Sequence, residues 1–335
     1  MRCAIIELMN VLLGAVLAGL FGLMIGSFAG ATVWRLRARQ LAGEEHDLKT
    51  LVAKQKTSEG LTDDEAAYLK ELKQTKAERM KELKPLQPTI RSISRDRSQC
   101  LHCHHELSAA DLIPLASWLR TGGKCRYCKK PIGRFEPIIE LASATLFVLF
   151  YLYWLSLAGV SWWLLAIFVP VLCMLIILFA YDAKWFLLPD VVMFPLIGLA
   201  SVLAVYNILQ ATEPIQAGLS TLGSVAILSG LYFVLWFVSQ AKGGWVGFGD
   251  VKLGLALGLL LADWKLAFLT LFLANFIGTL IVLPGLITKK VGRKTHIPFG
   301  PLLIVGFFIA LFYGSSLIEA YLQLSTSLSN MMFML

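Results

Sequence analysis

Two kinds of residue in this chain are placed where they could do chemistry. Four cysteines form two C-x-x-C pairs, "CLHC" (Cys100 and Cys103) and "CRYC" (Cys125 and Cys128), with 21 residues between them. Each pair lets one tight turn present two thiolates to a single ion, so the four together suit a tetrahedral zinc site. Four sulfur ligands leave no open position, which makes such a metal structural and not catalytic. His102, His104 or His105 could stand in for one sulfur, and a redox dithiol is the other use of this motif.

The second kind is a pair of aspartates beside apolar stretches. Asp182 lies in "FAYDAKWFLLPD" (Phe179 to Asp190) and Asp250 in "GFGDVKLG" (Gly247 to Gly254). Ionisable groups at membrane depth are expensive and mark function by default. Two carboxylates close together hold one proton between them, so one can take a proton from water while the other polarises a carbonyl. Amide hydrolysis is the chemistry this permits, with apparent pKa values that belong to the pair. Gly247 and Gly249 would let the backbone turn tightly and a substrate strand approach. The plainer alternative is that each aspartate pairs with a nearby lysine, Lys184 or Lys252, as an interfacial charge.

The elements that must hold these residues are membrane helices. With 57% hydrophobic and 16% charged residues, the composition is that of a membrane protein. A helix crossing the bilayer needs about 20 apolar residues, since its backbone must be satisfied internally. Segments of that length lie near 8–33, 138–158, 162–181, 190–209, 217–239, 264–287 and 299–321. An eighth, Val251 to Leu261, is too short to cross alone and is expected to be re-entrant or to place Asp250 below the headgroups.

Orientation follows the basic residues. Residues 35–137 hold 21 of the 30 Lys and Arg and 14 of the 22 Asp and Glu, which accounts for most of the net charge of +8. That region is expected in the cytoplasm. Alternating the spans then puts Lys184, Lys242, Lys252 and Lys289 to Lys294 on the same side, with only Arg2 and Lys265 outside, and both termini outside. The basic excess is thus a topology signal with some attraction to anionic lipid, and no nucleic-acid partner is expected. The first span is too long for a signal peptide and is followed by "WRLRAR" (Trp34 to Arg39), a stop-transfer flank. Reduced thiols are expected in the cytoplasmic region, and Cys3 and Cys173 sit alone in apolar segments.

Four regions result: a first transmembrane helix (1–34), a charged cytoplasmic region (35–97), a four-cysteine zinc domain (98–137) and a transmembrane catalytic domain (138–335). Between Glu44 and Pro88, leucines at helical spacing predict a hairpin interrupted at "SEGLTDDE" (Ser58 to Glu65). Gly60 would end one helix, Thr62 and Glu65 would form a capping box for the next, and Pro85 would close it. The fold class expected is an all-α polytopic membrane protein of about eight segments, one of them short, with a cytoplasmic zinc domain between the first and second.

The order and wording of several stretches resemble the prepilin peptidases, or type IV leader peptidases, a family of membrane aspartic proteases. The stretches are "GSF" (Gly26 to Phe28), "WRL" (Trp34 to Leu36), the block from Ser98 to Glu140 around the cysteines, "DAKWFLLPD" (Asp182 to Asp190), "GFGDVKL" (Gly247 to Leu253) and "IPFGP" (Ile297 to Pro301). The resemblance implies that Asp182 and Asp250 are the catalytic pair and that Cys100, Cys103, Cys125 and Cys128 bind zinc. It implies an enzyme of the bacterial inner membrane that cleaves the short basic leader of type IV prepilins or pseudopilins after a glycine, on the cytoplasmic face. Many members then methylate the new amine with S-adenosylmethionine.

This chain departs from the family pattern at Ala29 and Gly30, where a Leu-Asn pair is usual, at Arg37 in place of a proline, and in the charged hairpin. A presenilin-like intramembrane protease shares "YD" and "GFGD", but it would carry Pro-Ala-Leu where this chain has "IPFGP" and would lack the cysteine module. A proton-coupled transporter with a zinc docking domain is the reading from another class. No pair of matching halves appears in the sequence to favour it. The opening of the last span by Pro298, Phe299, Gly300 and Pro301 is read either as helix-start punctuation or as lining of the active site.

Overall fold

The computed structural model describes residues 2–56, 61–86, 98–157, 162–240, 247–288 and 298–332. Gly60, Pro88, Lys242, the run from Lys289 to Lys294 and Ile297 lie outside the described residues. The chain divides into two compact units, Met1–Tyr151 and Leu152–Leu335. Among the described residues the structure is helical, with two isolated β-bridges, Gln99 to Glu106 and Lys124 to Pro131, and no strand.

The first unit begins with helix α1 (Arg2–Lys56), 55 residues long. The span expected to stop near residue 33 continues without a break. Residues 34–56 are rich in Arg, Gln, Leu, Ala, Glu and Lys, all good helix formers, so the composition changes there while the backbone conformation does not. Helix α2 (Asp63–Leu86) folds back along α1. Its start is the expected capping box: the Glu65 N–H donates to Thr62 Oγ1 at 3.3 Å and the Thr62 N–H to Glu65 Oε2 at 3.2 Å. Lys54, hydrogen-bonded to Glu65 across the hairpin, and the Thr62 N–H hold that carboxyl below its usual range. Helix α2 runs through Pro85 to Leu86 instead of closing at the proline.

Two apolar clusters zip the hairpin. Leu51, Leu69 and Leu72 pack near its tip, and Ala38, Leu41, Leu83 and Leu86 near its base. Arg37 forks onto Glu82 at 2.7 and 3.0 Å, and Arg79 meets Glu44. Such partly exposed pairs contribute about 0.2–1 kcal/mol each, so the leucine seams dominate. A short helix, α3 (Ala116–Arg120), belongs to the cysteine module, and α4 (Phe135–Ser156) follows it. Helix α4 lies close against α1 where α1 has glycines: a Cβ added at Gly26 would be 2.6 Å from Glu140 Cα, and one at Gly22 would be 2.8 Å from Ala144 Cα. Small residues four apart allow this close approach.

The second unit holds α5 (Leu165–Trp185), α6 (Asp190–Gln210), α7 (Pro214–Val225), a π-helical turn (Ala226–Gly230), α8 (Leu231–Gln240), α9 (Phe248–Leu261), α10 (Trp264–Ile287) and α11 (Phe299–Met332). Among the described residues, seven helical stretches are long and apolar enough to cross a membrane. They match the seven long segments read from the sequence. Helix α9, 14 residues, is the eighth and is not long enough. It packs against α6, α7, the π turn, α8, α10 and α11, and Val251, Leu253, Gly254, Ala256, Leu257, Gly258 and Leu261 are all buried in it.

Two glycines let α9 sit this deep. Gly254 lies against the carbonyl of Leu228 in the π turn, and a Cβ at Gly258 would fall 2.9 Å from Val225 Cα. Hydroxyls complete the seam: Ser224 Oγ donates to the Gly258 carbonyl at 2.8 Å and Ser229 Oγ to the Val251 carbonyl at 2.9 Å. Gly258→Leu must displace backbone and is expected to destabilise by about 1–3 kcal/mol. Gly198→Ala, whose Cβ meets nothing within 4 Å, is expected to stay within about 0.5 kcal/mol of wild type. Thermal unfolding of both variants in the same detergent checks the contrast.

Candidate active site and metal site

Asp182 lies in the last turn of α5, and its 5% exposure makes it one of the few buried charged residues. Helix α5 stops just beyond it because Phe186 takes a left-handed conformation (φ 58°) and its N–H donates to the Asp182 carbonyl at 2.9 Å. The chain then passes through Leu187 and Leu188 to Pro189, the N-cap of α6, and Asp190 opens that helix. The Asp182 carboxylate does not meet Lys184, whose Nζ lies 4.9 Å from the centre of the Trp185 ring. Its partner is backbone: the Gly300 N–H at the start of α11 donates to Asp182 Oδ2 at 3.0 Å. "IPFGP" is therefore more than helix punctuation, because Gly300 touches the candidate site.

Asp250 lies in the first turn of α9. The lysine two residues on does not neutralise it, since Lys252 Nζ is bound to Asp190 Oδ1 at 2.6 Å. Among the described residues the Asp250 carboxylate has no ion pair. The two candidate carboxylates are near enough for their charges to interact. Gly300 links their helices: a Cβ built there would be 2.7 Å from Asp182 Oδ2 and 3.5 Å from Leu253, one turn beyond Asp250 in α9.

The glycines of "GFGD" act differently from expectation. Gly247 is an extended N-cap (φ −78°, ψ 143°) and Gly249 is inside the helix, so neither is used for a left-handed turn. Gly249 instead makes room for Leu188, whose Cβ would lie 3.1 Å from an added methyl. Close packing of the two aspartate-bearing segments is what this glycine permits.

Sequence reasoning did not find Tyr232. It is 6% exposed, within electrostatic reach of Asp250, and its ring lies 5.1 Å from that of Phe299, the neighbour of Gly300. It follows the π turn by two residues, and only the packing of that turn on α9 brings it to the site.

In the first unit the four cysteine sulfurs lie within 4.8 Å of one another, a group able to hold a metal ion. Two knuckles of the same design build the cluster. The N–H of Cys100 donates to the His105 carbonyl and that of Cys125 to the Lys130 carbonyl, at 3.0 and 2.8 Å. His104 and Lys129, four residues after those cysteines, both have left-handed φ (56° and 61°), and their N–H groups return to the Cys100 and Cys125 carbonyls.

Cys100 and Cys128 Sγ are 3.9 Å apart, close to the roughly 3.8 Å of two sulfurs on a tetrahedral zinc with bonds of about 2.3 Å. The donor set therefore fits a tetrathiolate ion. Burial pushes the Cys100 thiol up to about 12. At Cys125 burial acts the same way but is outweighed by the Cys128 and Tyr127 N–H groups and neighbouring thiols, leaving it at about 7. Among the described residues no histidine joins the cluster, and His105 stacks on Tyr127 with ring centres 3.7 Å apart. Cys100, Cys103, Cys125, Cys128 and Cys173 form no disulfide.

A helical membrane scaffold that brings the buried Asp182 and the half-buried Asp250 near one another is an arrangement an aspartic peptidase could use, and comparison with known proteins gives the class. Residues 20–154 match the Bacterial Peptidase A24 N-terminal domain and residues 169–283 the Type IV leader peptidase family. Proteins named prepilin leader peptidase/N-methyltransferase are similar over most of the chain. The one from Stutzerimonas stutzeri is 32% identical over 68% of this chain and 75% of its own length. The one from Pseudomonas aeruginosa is 32% identical over 68% and 74%. That of Bacillus subtilis is 31% identical over 71% and 90%. No solved structure matches. The chain belongs to the type IV leader peptidase family and is a multi-pass membrane peptidase.

Gly300→Ala is expected to push the Asp182 carboxylate off its amide donor. Misplacement by about 1 Å can cost on the order of 100-fold in rate, so peptidase turnover should fall by about tenfold or more. Circular dichroism should show helix content unchanged, and a rate within twofold of wild type would count against a role for this contact.

Proposed function

We propose that this protein cleaves the leader of type IV prepilins or pseudopilins after a glycine, with Asp182 and Asp250 as the catalytic dyad. The observation that carries this reading is that Asp182 and Asp250, in separate helices, share a neighbourhood while neither is neutralised by the lysine next to it in sequence. One carboxylate takes a proton from water as the water oxygen bonds to the scissile carbonyl carbon. The other gives its proton to the carbonyl oxygen, forming a neutral diol. Proton transfer to the amide nitrogen then breaks the C–N bond, releasing the leader with a new carboxyl end and the pilin with a new amine. The Gly300 N–H orients Asp182 through Oδ2, and the buried Tyr232 packs against the half-buried Phe299 beside it.

The four cysteines hold a structural zinc that ties the two knuckles together in a module too small to rely on a core. The basic distribution along the sequence supports a position in the bacterial inner membrane with residues 35–137 and the dyad on the cytoplasmic side. Methylation of the new amine with S-adenosylmethionine follows cleavage in this reading, as the names of the relatives suggest. Membership in the family removes the ground for the presenilin-like and transporter readings.

In cells co-expressing a prepilin, wild-type protein is expected to shorten the substrate, whereas Asp182→Asn and Asp250→Asn, each confirmed in the membrane, leave it full length. Processing by both variants would mean that these aspartates are not the dyad. Metal analysis of the purified protein is expected to find about one zinc per chain, as a closed four-sulfur site requires, and a Cys100→Ser, Cys125→Ser double variant is expected to lose it. Absence of metal from the intact protein would overturn the zinc assignment.

A further inference from the structure

Helix α9 carries Asp250 but is apolar almost all round: from Leu253 to Leu261 it contains only Leu, Gly and Ala. Burial of such a surface sets the depth of the helix without choosing its rotation, because each face is nearly as apolar as the next. Specific contacts must choose it. Gly254 and Gly258 do so for the middle of the helix, where they meet the π turn and α7. The first turn, which holds Asp250, is keyed by a different group of contacts.

These contacts meet the start of α6. Phe248 and Gly249 stand four and three residues before Lys252, so the three share one side of α9. Gly249 admits Leu188, two residues before α6. Lys252 Nζ meets Asp190 Oδ1 at 2.6 Å, in the first turn of α6, and lies 4.9 Å from the ring centre of Phe194, one turn further along that helix. The Phe248 ring centre is 5.5 Å from the same ammonium. One carboxylate and two aromatic rings thus hold a single charge, an arrangement that suits a partly desolvated ammonium.

Two residues of α-helix turn the side chain by about 200°, so a lysine fixed against α6 leaves Asp250 on the far side of α9. Leu253 shares that far side and lies beside Gly300, the residue that donates to Asp182.

We propose that Lys252 is a positioning residue for peptide cleavage: its bond to Asp190 sets the rotation of the first turn of α9 and so holds Asp250 toward Asp182. This role presupposes that those two aspartates are the dyad. With 55% of its side chain exposed, Asp190 stays hydrated when the lysine is removed, so the pair governs orientation more than stability.

Kinetics of the full chain in detergent on a purified prepilin test this. Lys252→Met keeps the length of the side chain without its charge, and Asp190→Asn keeps the shape of its partner. Each is expected to lower kcat by about tenfold with KM within about twofold of wild type, since a misplaced group costs rate and not ground-state binding. The double variant is expected to lose about tenfold as well, and not about a hundredfold, because both changes break one contact. Lys252→Arg keeps the charge and the ring contacts and is expected to stay within about threefold of wild type. Thermal unfolding of all four is expected within about 4 °C of wild type.

Single variants that cleave at the wild-type rate, losses that multiply in the double variant, or an arginine variant as slow as Lys252→Met would each overturn the proposal. A raised KM with kcat kept would also overturn it, making Lys252 a contact for substrate. A rate that falls only in step with the folded fraction would do the same, making the pair structural. Asp250→Asn in the same assay separates the failures. If it is inactive while the Lys252 and Asp190 variants are normal, only the positioning role falls; if it cleaves, the dyad and the positioning role fall together.

Discussion

A carboxylate removed from water needs a hydrogen-bond donor, and the Gly300 N–H supplies one to Asp182. Much of the second unit can be understood from that contact. Helix α5 must end within a turn of Asp182, which the left-handed Phe186 ensures. Helix α11 must place Gly300 in its first turn, and a Cβ there would crowd the carboxylate, which lies 2.7 Å away. Helix α9 must bring Asp250 to the same place, which it does by being short and by lying among the other helices. A helix start offers unpaired N–H groups and a helix end a sharp turn, so the site is assembled from helix termini where a spanning helix would present only side chains.

The depth of α9 depends on small residues. Gly254 and Gly258 bring it against the π turn and α7, and the serines at 224 and 229 bond to its carbonyls. In a lipid environment helices gain little from apolar contact alone, so close backbone approach and such hydroxyl bonds carry the packing. The same device recurs in the first unit, where Gly22 and Gly26 of α1 admit α4. Charges are handled by partnering at a distance: Lys252 reaches Asp190 across 62 positions, leaving its near neighbour Asp250 without an ion pair among the described residues.

The first unit follows a different logic. Its hairpin is closed by leucine seams, while the cysteine module is built on paired knuckles. Its two knuckles repeat one pattern of backbone bonds and left-handed residues and bring four sulfurs together. In the same unit one buried oxygen of Glu136 has no hydrogen-bond partner among the described residues.

Length and hydropathy alone determined the seven long spans, because a bilayer imposes one length and one chemistry on every helix that crosses it. The cysteine spacing determined the four-sulfur cluster, since a knuckle is local in sequence. The capping box at Thr62 and Glu65 was legible for the same reason. The end of α1 was not, because the sequence shows where the lipid stops and not where the helix does. What only the tertiary structure decided were the contacts between distant segments: that Lys252 takes Asp190 instead of Asp250, that Gly249 serves Leu188 and not a turn, that Gly300 donates to Asp182, and that Tyr232 reaches the site by way of a π turn. Each of these depends on which helix faces which across many tens of residues. A sequence records the chemistry of each partner, but the meeting itself is set by packing.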